Sequence, residues 1–309
     1  MIIFVYCFNK ITSFNQIKNN FKFMFGKNKM RLSNFLGNSE SNNLTNIPNQ
    51  IQKIIFIKSN LSIDINTNIL DSKFESDIES NTESNDLIKT KILDKKILHI
   101  TPAGLYGFYD VALCEFIKNR YNLDNHIFNG ASAGAWNGLF MVYKYNNTNL
   151  LNTILNNFKQ KNTKSIKSVQ LELKNLLLTN TATEDFEFDK LFITVSVWEN
   201  YKLNNYVYTD FESLESAIDC CIASSNIPLL TGDIIYKYKG KISLDGGFLS
   251  KSHIIVKEPD FIITNSLFGR KRFFTSLFDL KKNILDLYVE GLDDCVNNVD
   301  TLDKNFKLY

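Results

Sequence analysis

The chain has 309 residues, 44% of them apolar, and a formal net charge of +2. That is enough for one large domain or two ordinary ones, with material for a sizeable core. A charge so near zero argues against a dedicated nucleic-acid binder, and five scattered cysteines beside three histidines argue against a zinc site or a disulfide framework.

Met1 to Phe8 is apolar but too short to span a bilayer, and it lacks the basic start and small-residue cleavage site of a secretory signal. Lys10, Lys18, Lys22, Lys27, Lys29 and Arg31 follow, with no acidic residue before Glu40 and with Phe14, Phe21, Phe23, Phe25 and Phe35 between them. Such a segment reads as a disordered basic leader, as a transit-type peptide, or as a strip that lies on an anionic membrane surface. Ser39 to Asn49 is an Asn- and Ser-rich linker with Pro48. Ile51 to Ile57 has the run of a short edge strand, and Asp71 to Asp86 is too polar to pack. Residues 1–90 are therefore expected to be a variable extension, 91–290 the folded domain, and 291–309 a tail. Unpaired cysteines fit an intracellular, cytoplasmic setting, peripheral to a membrane at most.

From residue 91 the pattern alternates. Ile97 to Ile100 is a strand, and Phe108 to Tyr121 places Val111, Leu113, Phe116 and Ile117 at the spacings of an amphipathic helix. His126 to Asn129 is a second strand, followed by a helix-prone segment from Ala133 to Tyr145. Leu150 to Phe158 and Ser168 to Leu178 read as helices, Leu191 to Val197 and Tyr206 to Tyr208 as strands, and Leu214 to Ala223 as a helix closed near Pro228. Ile234 to Tyr238 and Lys241 to Leu244 form a hairpin around Gly240, and Phe261 to Thr264 is the last strand. Leu277, Leu280, Ile284, Leu287 and Tyr288 mark a terminal amphipathic helix. Strands alternating with helices predict an α/β fold whose mainly parallel sheet is covered on both faces.

Three short stretches in this frame carry chemistry. Gly130-Ala131-Ser132-Ala133-Gly134 has the form Gly-x-Ser-x-Gly between a strand and a helix. That is the context of a nucleophile elbow, which lifts a serine hydroxyl clear of the sheet. Pro102-Ala103-Gly104-Leu105-Tyr106-Gly107 follows the first strand. Its backbone amides at Gly104 and Leu105, with that of Ala133, are candidates for an oxyanion hole. Leu244-Asp245-Gly246-Gly247 closes a later strand. Each of the three is also a common turn, so it is the set that matters. At the carboxyl ends of strands they would meet at one edge of the sheet.

Together these stretches resemble the patatin-like phospholipases. That family's pattern is a glycine-rich oxyanion turn, then Gly-x-Ser-x-Gly, then Asp-Gly-Gly or Asp-Gly-Ala. Ala223-Ser224-Ser225-Asn226-Ile227-Pro228 is similar to the family's Ala-Ser-x-Ala-x-Pro run, and the likeness spans roughly residues 95 to 265. The resemblance implies a three-layer α/β/α sandwich and a lipid acyl hydrolase. Ser132 would be the nucleophile and Asp245 its base, with Gly107, Gly130, Gly134, Gly246 and Gly247 completing the motifs. It implies an acyl-lipid substrate, no cofactor and no metal. The family's first two glycines are Pro102 and Ala103 here, and its basic residue is Tyr106. Proline has no N–H to donate.

Trp136, Leu139, Phe140, Ile227, Leu229 and Leu230 are candidates for an acyl pocket, or for plain core packing. Two other readings stay open. Ser132, Asp245 and His253 stand in the chain order of an α/β-hydrolase triad, with His253 as base. The weakened glycine turn fits a non-catalytic module that binds lipid or a partner protein.

Overall fold

One long strand, β3 (Leu191–Glu199), organises the sheet. The computed structural model describes residues 92–160, 165–228, 230–231, 235–249, 258–269 and 283–308, all within one compact unit. The basic leader, the linker, the Ile51–Ile57 run, the acidic loop, Leu229, Ile234, His253, Leu277 and Leu280 lie outside the described residues.

In chain order, β1 (Lys96–Ile100) leads to α1 (Gly107–Arg120), and β2 (His126–Ala131) to α2 (Ala133–Met141). Two helices follow, α3 (Asn147–Gln160) and α4 (Ile166–Asn180), and then β3. Next come β4 (Lys202–Tyr208), α5 (Leu214–Ser224), β5 (Tyr236–Tyr238), β6 (Lys241–Leu244) and β7 (Phe261–Ile263). The described chain ends with α6 (Ile284–Asn297) and α7 (Val299–Asp303). The fold is α/β with a mixed seven-stranded sheet among the described residues.

The sheet has two halves. β7, β1, β2 and the first part of β3 run parallel. All six residues of β2 and the first seven of β3 are buried. Successive side chains of a strand point to opposite faces, so both faces of the sheet are covered there. β4 pairs antiparallel with β3 from Ile193 to Glu199. On the opposite edge of β3, β2 pairs with Leu191 to Thr194, and β6 takes over antiparallel from Ser196 to Trp198. β5 then pairs antiparallel with β6. Two strands thus share one edge of β3, end to end.

Two expectations change. α1 was expected to be amphipathic, but it is buried nearly all round, Asp110 and Glu115 included. Its outer side is covered by α6, whose Gly291 lies so close that a Cβ there would stand 2.6 Å from the Tyr109 carbonyl oxygen. The domain also does not stop at residue 290, a position inside α6. The Tyr109 hydroxyl donates to Asp294 at 2.8 Å, and Tyr288 donates to Glu115. Leu302 and Phe306 are buried, with Phe306 stacked on Tyr121 at 5.2 Å between centroids. The tail was invisible to periodicity because its contacts are with α1, far back in the chain. Tyr109→Phe leaves a buried carboxylate oxygen without that donor, and is expected to lower stability by about 2 kcal/mol. A urea titration with an unchanged midpoint would count against this coupling.

Candidate active site

The junction on β3 places the two candidate catalytic residues. β2 ends at Ala131, opposite Thr194, and β6 ends at Leu244, opposite Ser196. Ser132 therefore leaves β2, and Asp245 leaves β6, at the same stretch of β3 but from opposite directions. Asp245 follows the carboxyl end of its strand, as expected, although β6 runs antiparallel to β3. The outcome is the same meeting point. Ser132 Oγ donates to Asp245 Oδ2 at 2.6 Å across 113 residues of sequence.

Ser132 has φ 56° and ψ −126°, a backbone conformation that non-glycine residues rarely adopt. It stands at the N-cap of α2, yet its side chain makes no capping bond. A serine there ordinarily gives its oxygen to the amides of the first turn; this hydroxyl is turned to Asp245 instead. The flanking glycines are sterically required. A Cβ on Gly130 would lie 2.1 Å from the Gly134 carbonyl oxygen, and one on Gly134 would lie 2.1 Å from that of Ile100. The strained turn is braced from outside. The Ser132 amide donates to Ser224 Oγ at 2.8 Å, and that hydroxyl donates to the Thr194 carbonyl at 2.7 Å. At the far end of α2, Lys118 donates to the carbonyls of Phe140 and Tyr143, placing a cation at the negative end of the helix. Burial pushes the Lys118 ammonium down to about 8.

Asp245 is equally constrained. Its Oδ1 accepts the Gly247 amide at 2.8 Å, which leaves Oδ2 for the serine. Asn226 clips the chain around it: its carbonyl accepts the Asp245 amide at 2.9 Å, and its Nδ2 donates to the Ser243 carbonyl at 3.0 Å. Ser132 is 7% exposed and Asp245 5%. In so little water the charged carboxylate is disfavoured, and burial pushes the Asp245 carboxyl up to about 6, against the opposing pull of the Ser132 hydroxyl and the Gly247 amide.

The glycine turn reaches the same place. Gly104, with φ 56°, opens a single 3₁₀ turn through Tyr106. A Cβ on Gly107 would stand 2.8 Å from Ala133 Cβ, so this turn abuts the first residue of α2. Ala133 opens that helix and its amide has no carbonyl within the helix to bond, as Gly104 opens its own turn. Pro102 fills the space over Gly247, where a Cβ would come within 2.6 Å of the proline ring. Tyr106 is buried.

The acyl-pocket candidates divide. Leu139 and Phe140 are buried and belong to the core. Trp136 is half-buried and donates its indole N–H to Ser225 Oγ at 3.1 Å; Ile227 is half-buried, and Leu230 is exposed. His99 and His126 are buried in strands; His99 Nδ1 meets Asn129 Nδ2 at 3.1 Å. The sequence reading missed Ser224 and Asn226 as supports for Ser132 and Asp245. The signal for them was the Ala223-to-Pro228 run itself, whose small and polar residues sit where a helix ends against the sheet.

A buried carboxyl that titrates near 6 gives a direction for pH. If its ionised form accepts the serine proton, turnover falls about tenfold per pH unit below 6 and levels off above 7. A pH–rate profile for a soluble ester checks this; a flat profile between pH 5 and 7 would exclude Asp245 as the base.

No protein-family model and no curated protein matches the chain.

Proposed function

We propose that the protein is a patatin-like acyl hydrolase, built on a three-layer α/β/α sandwich, that cleaves ester bonds of lipids with a serine–aspartate dyad. The observation that carries this reading is the 2.6 Å bond from Ser132 Oγ to Asp245 Oδ2 at a positive-φ turn between strand and helix. Ser132 Oγ attacks the ester carbonyl carbon while its proton passes to Asp245 Oδ2. The carbonyl oxygen becomes an oxyanion that the amides of Gly104, Leu105 and Ala133 are suited to hold. Its collapse expels the alcohol, which takes the proton from Asp245, and leaves the acyl group on Ser132. Water then attacks the acyl-enzyme, gives its proton to Asp245, and releases the acid as the serine regains its own. No step needs a histidine.

Pro102 and Ala103 favour one alternative, a lipid- or protein-binding module with a weakened oxyanion hole, since Pro102 removes one potential donor. One experiment separates the two. The folded protein is treated with a fluorophosphonate probe, digested and mapped by mass spectrometry, in parallel with phospholipid and short-chain p-nitrophenyl ester assays. Stoichiometric labelling at Ser132 with release of fatty acid is the expected result. A folded protein that is neither labelled nor active belongs to the binding-module class.

A further inference from the structure

The antiparallel half of the sheet projects past the candidate site. β3 continues five residues beyond Thr194, about 16 Å at the usual strand rise. β4, β5 and β6 flank this extension. Both hairpin turns, Asn200–Tyr201 and Lys239–Gly240, lie at its far end, since Glu199 pairs with Lys202 and Tyr238 with Lys241. This is the end toward which the parallel strands deliver Ser132.

Each turn has the paired positive φ of a type I′ hairpin, at 49° and 60° for Asn200 and Tyr201 and at 45° and 77° for Lys239 and Gly240. Such positions call for Asn and Gly. Tyr201 breaks that preference: it holds a bulky side chain in the left-handed region, and it is 85% exposed, so no packing compensates the strain. A strained residue without a structural return points to a function for its side chain. The charges around it are one-sided. From Trp198 to Tyr206 and from Tyr236 to Ile242 the charged residues are Glu199, Lys202, Lys237, Lys239 and Lys241. Glu199 is offset by Lys241 at 3.1 Å and accepts a hydrogen bond from the Tyr206 hydroxyl. Lys202, Lys237 and Lys239 remain exposed, the last with its ammonium 5.7 Å from the Tyr208 ring centroid.

We infer that this end of the sheet docks on an anionic lipid bilayer. Tyr201 sits at headgroup depth, and Lys202, Lys237 and Lys239 contact lipid phosphates or carboxylates. An amphipathic aromatic ring flanked by lysines suits the membrane–water boundary, and a surface of net positive charge is drawn to anionic lipid. Docking there would turn the end of the sheet that carries Ser132 toward the surface that holds its substrate. The surface draws its purpose from the lipid-ester reading above, but its binding does not depend on catalysis.

The test is sedimentation of the full chain, in a Ser132→Ala background so that no lipid is consumed, with phosphatidylcholine vesicles with and without phosphatidylserine. The parent protein is expected to partition onto the phosphatidylserine vesicles and to be released by salt. Combined Lys202→Glu, Lys237→Glu and Lys239→Glu changes are expected to weaken that partition about 100-fold, at about fivefold per lost lysine. Tyr201→Gly is expected to weaken it severalfold while leaving thermal stability equal or higher, because glycine relieves the strained φ. Unchanged partition in these variants overturns the proposal, since binding would then come from elsewhere in the chain. No partition of the parent protein overturns it too, and leaves the surface to an acidic protein partner. Failure of the acyl-hydrolase reading would show differently, as absent fluorophosphonate labelling with vesicle binding retained.

Discussion

Replacing Asp245 by asparagine is expected to lower ester turnover by about 10³-fold or more and to leave the fold intact. Asparagine has nearly the same shape, and its oxygen can still accept the Gly247 amide that Asp245 Oδ1 accepts at 2.8 Å. It cannot take a proton from Ser132. A comparable loss follows removal of one member of a serine–base pair in other hydrolases, where the surviving rate comes from binding and the oxyanion hole. Ser132→Ala should cost as much, and the double variant no more than either single one, because the pair acts as a unit. Stability should move the other way. The folded carboxyl at about 6 lies above its unfolded value near 3.9, so the fold favours the protonated form. The group's relative contribution to stability is complete below about pH 4 and is lost as pH rises through 6, by about 3 kcal/mol at pH 8. An asparagine in its place carries no charge to bury. Thermal melts of the Asp245→Asn variant should therefore gain on wild type between pH 5 and pH 8; a variant that melts lower at pH 8 would point to lost structure rather than lost chemistry.

Gly246→Ala is the second large effect. A Cβ at that position would lie 2.1 Å from the Thr194 carbonyl oxygen and 3.1 Å from Ala131 Cβ. The obstacle is the backbone of β3, which cannot swing aside as a side chain can. The turn carrying Asp245 must move off the strand by about an ångström or more. A shift of that size breaks a 2.6 Å contact, and misplacement by about 1 Å is worth about 100-fold in rate. A loss of about 3 kcal/mol in stability is expected alongside it. Gly247→Ala is the informative comparison. There the obstacle is the ring of Pro102, so a Pro102→Ala change should restore part of what is lost. If Gly246→Ala keeps wild-type turnover, Ser132 and Asp245 do not act at the distance described.

Much of the frame was legible in the sequence because its signals are local. Short apolar runs marked β1, β2 and β3, and glycines beyond β1, β2 and β6 marked turns whose close packing leaves no room for a side chain. Gly240 marked the β5–β6 hairpin for a different reason, its positive φ of 77° in open space. Where the decisive contact is distant, the sequence was silent. Nothing near Asp245 says that its strand runs against β2, because that direction is set by pairing with β3. Nothing near Ser224 says that its hydroxyl receives the Ser132 amide, ninety-two residues away. The helical spacing in α1 was real, but the side expected to face water is covered by a helix that begins at Ile284. Leu139 and Phe140 left both a pocket and plain core packing open, and they belong to the core.

The shared edge of β3 has a consequence for how the protein comes to life after synthesis. Local turns shape the backbone at Ser132 and Asp245, but the two side chains meet only when both strands have docked on the same template. Closing 113 residues of chain onto that template is entropically slow compared with forming the helices between them. A refolding chain that has regained its helices but not the β3–β6 pairing has a serine with no acceptor for its proton. If Ser132 reacts as proposed, its reactivity is expected to be a late clock for folding, lagging the recovery of helical signal and keeping step with closure of the two halves of the sheet.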